Sequence, residues 1–116
     1  MSPPRIELYH FGLVVIDGKA YSKDLIVLPE RVVPNWWRLE GHNLQPEDLD
    51  EVIQARPTAL VVGKGTFERM QIDPRAETAL KEAGIELIAL PTGEAWETYN
   101  KLSQEKAVAA ALHLTC

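Results

Sequence analysis

Hydrophobic positions along the chain fall into short runs separated by glycine, proline and charged residues, and two of these runs predict buried strands. The run 58–62 reads Thr-Ala-Leu-Val-Val and ends at Gly63, and the run 25–28 reads Leu-Ile-Val-Leu. Continuous rather than alternating apolar residues are typical of strands that are covered on both faces. We therefore expect both runs to lie inside a central sheet.

The first part of the chain predicts a β-hairpin. A mostly apolar segment, 6–16, precedes Asp17-Gly18, and a second strand-like segment follows. Asp-Gly between two such segments favours a tight turn, because both central residues tolerate a positive φ. The hairpin is expected to lead into the buried run 25–28.

Four later segments predict helices. Apolar residues recur every three to four positions in three of them, and the fourth is rich in alanine, the best helix former. Asp73 is expected to cap the second helix, Gly84 to end it, and Thr92 to cap the third. With strands 58–62 and 85–90, the second helix would complete a right-handed βαβ unit. The predicted helices are 46–55, 74–83, one beginning near Gly93, and 107–114.

The amino-acid composition excludes several classes of function for this chain. The chain has 116 residues, a formal net charge of −5 and a single cysteine, Cys116. An acidic chain without a basic stripe is not typical of nucleic-acid modules, and one cysteine excludes an internal disulfide. Neither a membrane-spanning run nor a signal peptide is expected. We therefore predict one α/β domain over 1–116, in the cytoplasm.

The loop Gly63-Lys64-Gly65 is the first candidate site, because ligands in α/β sheets collect at the carboxyl ends of strands. Its backbone N–H groups and one ammonium group could form a cradle for an anion. Arg38, His42 or Asn100 could complete that site. The alternative is a glycine-dependent turn without a ligand, since the spacing matches neither a Walker loop nor a dinucleotide fingerprint.

The segment Trp36-Trp37-Arg38 is the second candidate site. Pro34 precedes it and cannot donate to a sheet ladder, so 31–39 is predicted to be an edge strand or an extended flap. Adjacent side chains in extended backbone point to opposite sides, so one indole is expected to be exposed. Tryptophan and arginine dominate binding hot spots, and a protein-binding face is therefore favoured here.

His113 and Cys116, together with His42, could suggest a metal site or a Cys–His nucleophile pair. A structural zinc site normally needs a fourth ligand, and the chain has no second cysteine. We favour a structural role for His113 and Cys116 and expect no metal, no cofactor and no catalytic residue. Asn100 is unusual in a helix interior, where it generally needs a hydrogen-bonding reason.

Taken together, the motifs and their order resemble a known family. They are Phe11-Gly12, Asp17-Gly18, 21–24 before the run 25–28, Trp37-Arg38, His42, Gly63-Lys64-Gly65, Ala95, Thr98-Tyr99-Asn100 and the ending 112–116, Leu-His-Leu-Thr-Cys. The chain resembles the adipogenesis-associated Mth domain family, which includes the mitochondrial complex I assembly factor 3 proteins. The resemblance implies a three-layer α/β fold with a mixed central sheet, one antiparallel strand, flanking helices and an N-terminal β-hairpin.

Two functional hypotheses follow. The first is a non-enzymatic interaction or assembly module that binds a protein partner through the Trp36-Trp37-Arg38 segment. The alternative is a binder of a small anionic ligand, or an unrecognised enzyme, with its pocket at the Gly63-Lys64-Gly65 loop. We favour the first, because no nucleophile–base pair or metal constellation is evident in the sequence.

Overall fold

The computed structural model describes residues 2–116, which form a mixed α/β structure. The strands are β1 (Ile6–His10), β2 (Leu13–Ile16), β3 (Lys19–Tyr21), β4 (Leu25–Val27), β5 (Val32–Val33), β6 (Asn43–Leu44), β7 (Ala59–Gly63), β8 (Gln71–Ile72), β9 (Glu86–Leu90) and β10 (Val108–Leu112). The helices are α1 (Asp50–Ala55), which continues a 3-10 turn at Pro46–Leu49, α2 (Pro74–Glu82) and α3 (Thr92–Ser103). Within the described part, no helix has both the length and the apolarity needed to span a membrane.

A five-stranded sheet in the order β5-β4-β10-β7-β9 forms the centre of the molecule. β7 is parallel to both β9 and β10, whereas β4 is antiparallel to β10 and to β5. β4 is thus the single strand of this sheet that runs against the other four. The predicted mixed sheet with one antiparallel strand is confirmed. The edge strand expected within 31–39 is β5.

The predicted helix over 107–114 is wrong, because this segment forms β10, the middle strand of the sheet. All five residues of β10 are buried. Val108, Ala110 and Leu112 face the core on the α3 side, and Ala109 and Ala111 face the opposite core. A strand that is covered on both faces accepts small apolar residues throughout, so tertiary packing here overrides the helix propensity of alanine.

Two hydrophobic cores cover the two faces of the central sheet. One core joins the sheet to α3 and to the N-terminal strands, and includes Ile6, Val14, Ala95 and Tyr99. The other joins the sheet to α1, α2 and the connecting segments, and includes Leu44, Val52, Met70 and Leu80. The helices and the N-terminal strands therefore enclose the sheet from both sides, as the predicted layered fold requires.

The N-terminal strands form a three-stranded antiparallel sheet in the order β1-β2-β3. Asp17 and Gly18 have φ values of 48° and 81° between β2 and β3, as the predicted Asp-Gly turn requires. A second turn with Gly12 at φ 78° divides the segment 6–16 into β1 and β2. The hairpin prediction is confirmed, with one strand more than the sequence suggested.

The βαβ unit also follows the sequence. α2 connects the parallel neighbours β7 and β9. The Asp73 side chain accepts a hydrogen bond of 2.9 Å from the Arg75 backbone N–H at its start, and Gly84 follows its end at φ 74°. The first helix instead begins as a 3-10 turn at Pro46, and ends at Arg56 in the left-handed region.

Side chains of α3 fasten the N-terminal sheet to the rest of the molecule. The Asn100 amide nitrogen donates to the Ile6 carbonyl over 2.7 Å, and the Asn100 carbonyl accepts from the Ile6 N–H over 3.0 Å. The buried Tyr99 hydroxyl donates to the Pro4 carbonyl over 2.6 Å, and its burial raises the pKa of Tyr99. Asn100, a candidate ligand residue from the sequence, thus has both polar groups of its side chain bound to one backbone residue.

We expect Asn100→Ala to lower the free energy of unfolding by about 2–4 kcal/mol, because it leaves the buried N–H and carbonyl groups of Ile6 unpaired. Lys101→Ala is the matched control, since Lys101 is the next residue of α3 and is exposed. Urea denaturation of both variants measures the difference. Equal effects of the two substitutions would contradict this role of Asn100.

Candidate functional site

Asp24, Arg38 and His113 form a buried polar cluster at one edge of the central sheet. His113 follows β10, whose neighbour β7 runs in the same direction, so it lies at the carboxyl ends of these strands. Asp24 precedes β4, and the pairing of Leu25 with Leu112 brings it to the same edge because β4 is antiparallel. The strand arrangement therefore brings together Asp24 and His113, which are 89 positions apart in the sequence.

The Asp24 carboxylate is the centre of the cluster. One oxygen, Oδ2, accepts from His113 Nδ1 over 2.8 Å and forms an ion pair with Arg38 Nη2 over 2.9 Å. The other oxygen, Oδ1, accepts from the Leu114 backbone N–H over 2.8 Å. Burial by itself raises the pKa of Asp24, but these donors and the Arg38 charge outweigh it and hold the pKa below its ordinary value. Asp24 is therefore a carboxylate at neutral pH.

Arg38 is held from several directions although only 8% of its surface is exposed. Its Nε and Nη2 atoms donate to the Gly41 carbonyl over 3.2 and 2.9 Å. Its guanidinium carbon lies 4.7 Å from the centre of the Trp36 ring, a cation–π arrangement. The guanidinium group is thus fixed in position by a carboxylate, a carbonyl and an indole.

The tautomer of His113 follows from its contact with the Asp24 carboxylate. An ionised carboxylate can only accept a hydrogen bond, and Asp24 Oδ2 lies 2.8 Å from His113 Nδ1. His113 Nδ1 must therefore carry its own proton and donate it to Asp24. In the neutral ring, Nε2 is then an unprotonated acceptor.

Two buried atoms of the cluster, Arg38 Nη1 and His113 Nε2, have no hydrogen-bond partner among the described residues. Both residues are more than nine-tenths buried. The exposed His42 ring lies edge-on to the His113 ring, with 5.6 Å between their centres. Buried polar groups in proteins are nearly always paired, so two orphaned atoms in contacting side chains mark a special position.

The loop 64–70 beside this cluster binds the chain's own tail, residues 113–116. The Thr66 N–H donates to the Thr115 carbonyl over 2.7 Å, and the Arg69 N–H donates to the Cys116 carbonyl over 2.9 Å. The Lys64 and Gly65 N–H groups donate to the Leu90 carbonyl and the Thr92 hydroxyl. The N–H groups that the sequence suggested for an anion cradle therefore have acceptors within the molecule.

Thr92 connects this loop to β10 and does not cap α3, contrary to the sequence prediction. Its hydroxyl accepts from the Gly65 N–H over 2.8 Å and donates to the His113 carbonyl over 2.6 Å. Pro91 precedes α3 at the N-cap position, and no side chain caps this helix. A Cβ on Gly63 would lie 2.8 Å from the Thr92 hydroxyl oxygen, so glycine permits the close approach.

The two adjacent tryptophans, Trp36 and Trp37, differ in their exposure to solvent. Trp36 is half-buried and its Nε1 donates to the Asp48 carbonyl over 3.0 Å, whereas the side chain of Trp37 is 76% exposed. Phe67 is 70% exposed and lies 6.4 Å from the Phe11 ring, measured between ring centres. Three aromatic side chains are therefore presented to solvent near the tail.

The structure brings together Arg38, His42 and Gly65 around His113, but not Asn100. Asn100 lies eight residues after Thr92 on α3, roughly 12 Å along the helix axis. The Lys64 ammonium group forms an ion pair with the Glu68 carboxylate, with 3.9 Å between the charged atoms. Among residues 2–116, no three His, Cys, Asp or Glu side chains lie close enough together to hold a metal ion. Neither the place of Asp24 in the site nor the contacts of His113 with Asp24 and Arg38 could be predicted from the sequence.

We expect Asp24→Asn to lower the free energy of unfolding by about 3–5 kcal/mol at neutral pH, because it leaves the buried Arg38 without its carboxylate. The folded pKa of Asp24 is lowered, so its contribution is complete above its unfolded value of 3.8 and is lost as the pH falls through the folded value. The difference between wild type and variant should therefore shrink in acid, as measured by urea denaturation across pH.

Asp50→Asn is the control for that comparison, since Asp50 is an exposed carboxylate at the start of α1. It should change stability by no more than about 0.5 kcal/mol at any of these pH values. A stability loss in Asp24→Asn that stays constant into acid would contradict the assignment of Asp24 as the ionised partner.

We expect Gly65→Ala to destabilise the fold by about 3–5 kcal/mol, because of both backbone strain and a clash. Gly65 has φ 101°, and a Cβ there would lie 2.2 Å from the Cys116 carbonyl carbon. Gly93→Ala is the control: Gly93 lies in α3 with no atom within 4 Å of such a Cβ. Thermal denaturation should show a large loss for the first variant and a neutral or stabilising effect for the second.

Comparisons with known proteins agree with this architecture. A family model described as protein of unknown function (DUF498/DUF598) matches residues 6–113. The conserved hypothetical protein PH1505 from Pyrococcus horikoshii OT3 is 29% identical with a TM-score of 0.83, over 97% of this chain and 99% of that one. The Rpa2829 protein from Rhodopseudomonas palustris is also 29% identical, with a TM-score of 0.73, over 97% and 86% of the two chains.

A further solved structure, of a Bordetella pertussis protein, is described as a Mth938-like domain. It is 20% identical to this chain with a TM-score of 0.70, over 96% and 85% of the two chains, and so it shows the likeness of the fold. The resemblance to Mth domain proteins that the sequence motifs suggested is confirmed. The chain belongs to the DUF498/DUF598 family of proteins of unknown function, and it has the fold of the Mth938-like domains.

Proposed function

We propose that this chain is a non-enzymatic interaction module of the assembly type, and that it binds a partner protein through the edge of the sheet that carries Trp37. The observation that supports this most directly is the 76% exposure of the Trp37 side chain. Tryptophan gives the largest contact area of any side chain when a partner covers it, and it is enriched in binding hot spots.

The surroundings of Trp37 are suited to a partner's side chain. Trp37 borders a recess of about 510 Å³, and Trp36, Asn35 and Thr115 also line it. Phe67 also lies beside the tail, where its backbone N–H donates to the Cys116 carbonyl. The exposed aromatic rings therefore flank the same short segment, and a single partner could cover them together.

The charged groups around the recess indicate which chemical groups a partner would present to it. Lys23 lines the same recess and forms no ion pair among the described residues. The Asp24 carboxylate lines the recess too, but it is already paired with Arg38 and His113. The recess thus has a free positive charge in a chain whose net charge is −5. A partner segment with an apolar side chain next to a carboxylate fits this recess.

The resemblance to a family that includes the mitochondrial complex I assembly factor 3 proteins favours the same class of function. The alternative, an anionic ligand in the Gly63-Lys64-Gly65 loop, has less support. The backbone N–H groups of that loop donate to acceptors within the molecule, and Lys64 lies near Glu68. An anion there would have to displace the tail.

We expect Trp37→Ala to weaken the partner complex by about tenfold or more, because the indole would be the central apolar contact. Its free energy of unfolding should change by less than about 0.5 kcal/mol, since the side chain is exposed. Native mass spectrometry of the tagged protein purified from its host, followed by titration of the purified partner, measures both the complex and its affinity.

Leu8→Ala is the matched control, because Leu8 is an exposed apolar residue on β1. Lys23→Glu should also weaken binding, whereas Lys101→Glu on α3 should not. Retention of every partner by Trp37→Ala, or an equal loss in Leu8→Ala, would contradict the proposed face.

A further inference from the structure

The orphaned atoms of the cluster point to a binding site in addition to the Trp37 face. Arg38 Nη1 and His113 Nε2 are each buried, and neither has a hydrogen-bond partner among residues 2–116. The two side chains contact each other through Nη2 and Nδ1, 3.2 Å apart. An unpaired buried polar group is unfavourable, and two in one contact pair can be satisfied together by one molecule that hydrogen-bonds to both.

The protons in the cluster restrict the chemistry of that molecule. Arg38 Nη1 is only a donor, because the guanidinium group stays charged. His113 Nδ1 already donates to Asp24, so Nε2 becomes a second donor as soon as the ring takes up a proton. The protonated cluster then presents two donors and one net positive charge, which an anion with two acceptor oxygens would neutralise.

We propose that Arg38 and His113 bind a small oxyanion, of the carboxylate or tetrahedral phosphate type, between Arg38 Nη1 and His113 Nε2, with uptake of a proton by His113. The Asp24 carboxylate neutralises the charge of Arg38 and fixes the His113 tautomer. The proton added to His113 neutralises one negative charge of the ligand. The overall charge of the site is therefore the same with and without the oxyanion, which reduces the cost of burying it.

His42 is the exposed side chain beside the proposed site. Its ring lies edge-on to His113 at 5.6 Å, it is exposed, and its side chain makes no hydrogen bond within residues 2–116. A change of its side-chain rotamer would break no hydrogen bond of the described residues and is the proposed route of entry. The other side of the His113 ring is closed, because a Cβ on Gly65 would lie 2.8 Å from His113 Cδ2.

The groups that set the charge around His113 come from each segment packed against it. Asp24 precedes β4, Arg38 and His42 lie in the segment between β5 and β6, and Cys116 belongs to the tail. The Cys116 backbone lies beside the same edge of the ring as the Gly65 contact. Of these groups, Asp24 keeps its charge at neutral pH because its pKa is lowered.

The test uses sulfate and formate as probes, since each keeps its charge between about pH 6 and about pH 8. NMR of the uniformly ¹⁵N-labelled protein follows the side-chain nitrogens of His113 during titration, with chloride at matched ionic strength as reference. We expect a saturable change at Nε2, with affinity about tenfold lower at the higher pH. A response to sulfate alone indicates a tetrahedral ligand, and a response to formate alone indicates a carboxylate.

Arg38→Lys should weaken the binding by about tenfold or more, because lysine keeps the charge but lacks the second nitrogen of the fork. Arg31→Lys is the matched control, since Arg31 is an exposed arginine paired with Glu51. His10→Gln, on exposed β1, should leave binding unchanged, whereas His113→Gln should abolish its pH dependence. If Arg38→Lys does not fold, the wild-type Nε2 titration decides alone.

The proposal is overturned if chloride produces the same Nε2 change as both probes, if no probe saturates, or if the affinity does not depend on pH. It is also overturned if a folded Arg38→Lys variant binds as tightly as wild type. The partner complex is tested with Trp37→Ala, which keeps Arg38 and His113 in place, so the two proposals fail separately.

Discussion

The position of β10 between β4 and β7 is the constraint on which the rest of the structure depends. This strand pairs in parallel with β7 and antiparallel with β4, so the sheet has no continuous centre without it. The same strand supplies residues to both hydrophobic cores. Its end, followed by His113 and the tail, is also what brings the polar cluster, the glycine loop and α3 to one place. Long-range pairing of this kind thus makes the core and the candidate site depend on the same strand.

The antiparallel direction of β4 has a chemical result as well as an architectural one. In a wholly parallel sheet, the residue before a strand lies at the opposite edge from the residue after its neighbour. Because β4 is reversed, the residue before it, Asp24, reaches the residue after β10, His113. Arg38, which follows β5, completes the group by stacking on Trp36. One reversed strand thus assembles an acid, a base and a cation from three distant parts of the chain.

Much of the fold could be predicted from local patterns, since these record local physics. The Asp17-Gly18 turn, the buried run 25–28, the Asp73 cap and the unit β7-α2-β9 each have a short-range signature in the sequence. The segment that failed is 107–114, where an alanine-rich stretch has helix propensity but the space between two cores requires a strand. Thr92 failed for a related reason: its hydroxyl could have capped α3, but tertiary contacts with Gly65 and His113 take it instead.

The candidate site was only partly predictable. Arg38, His42 and the glycine loop could be chosen because charged residues and glycines near strand ends are typical of sites. The way in which these residues lie around the cluster depends on Asp24, whose position is set by the direction of β4. No local sequence pattern indicates the direction of a strand within a sheet. Asn100 is an unusual residue for a helix interior, but its contact with Ile6, 94 residues away, could not be inferred from the sequence alone.

The Leu114 hydrogen bond makes one backbone amide beside the sheet sensitive to charge. Just beyond the ladder between β4 and β10, the acceptor is not a carbonyl group but the carboxylate of Asp24, which accepts the Leu114 N–H over 2.8 Å. The amide frequency of Leu114 will therefore respond directly to the charge carried by its acceptor. A change of protonation or ligation at the cluster is in this way communicated to the backbone within one hydrogen bond, and the molecule carries a built-in spectroscopic reporter of that change.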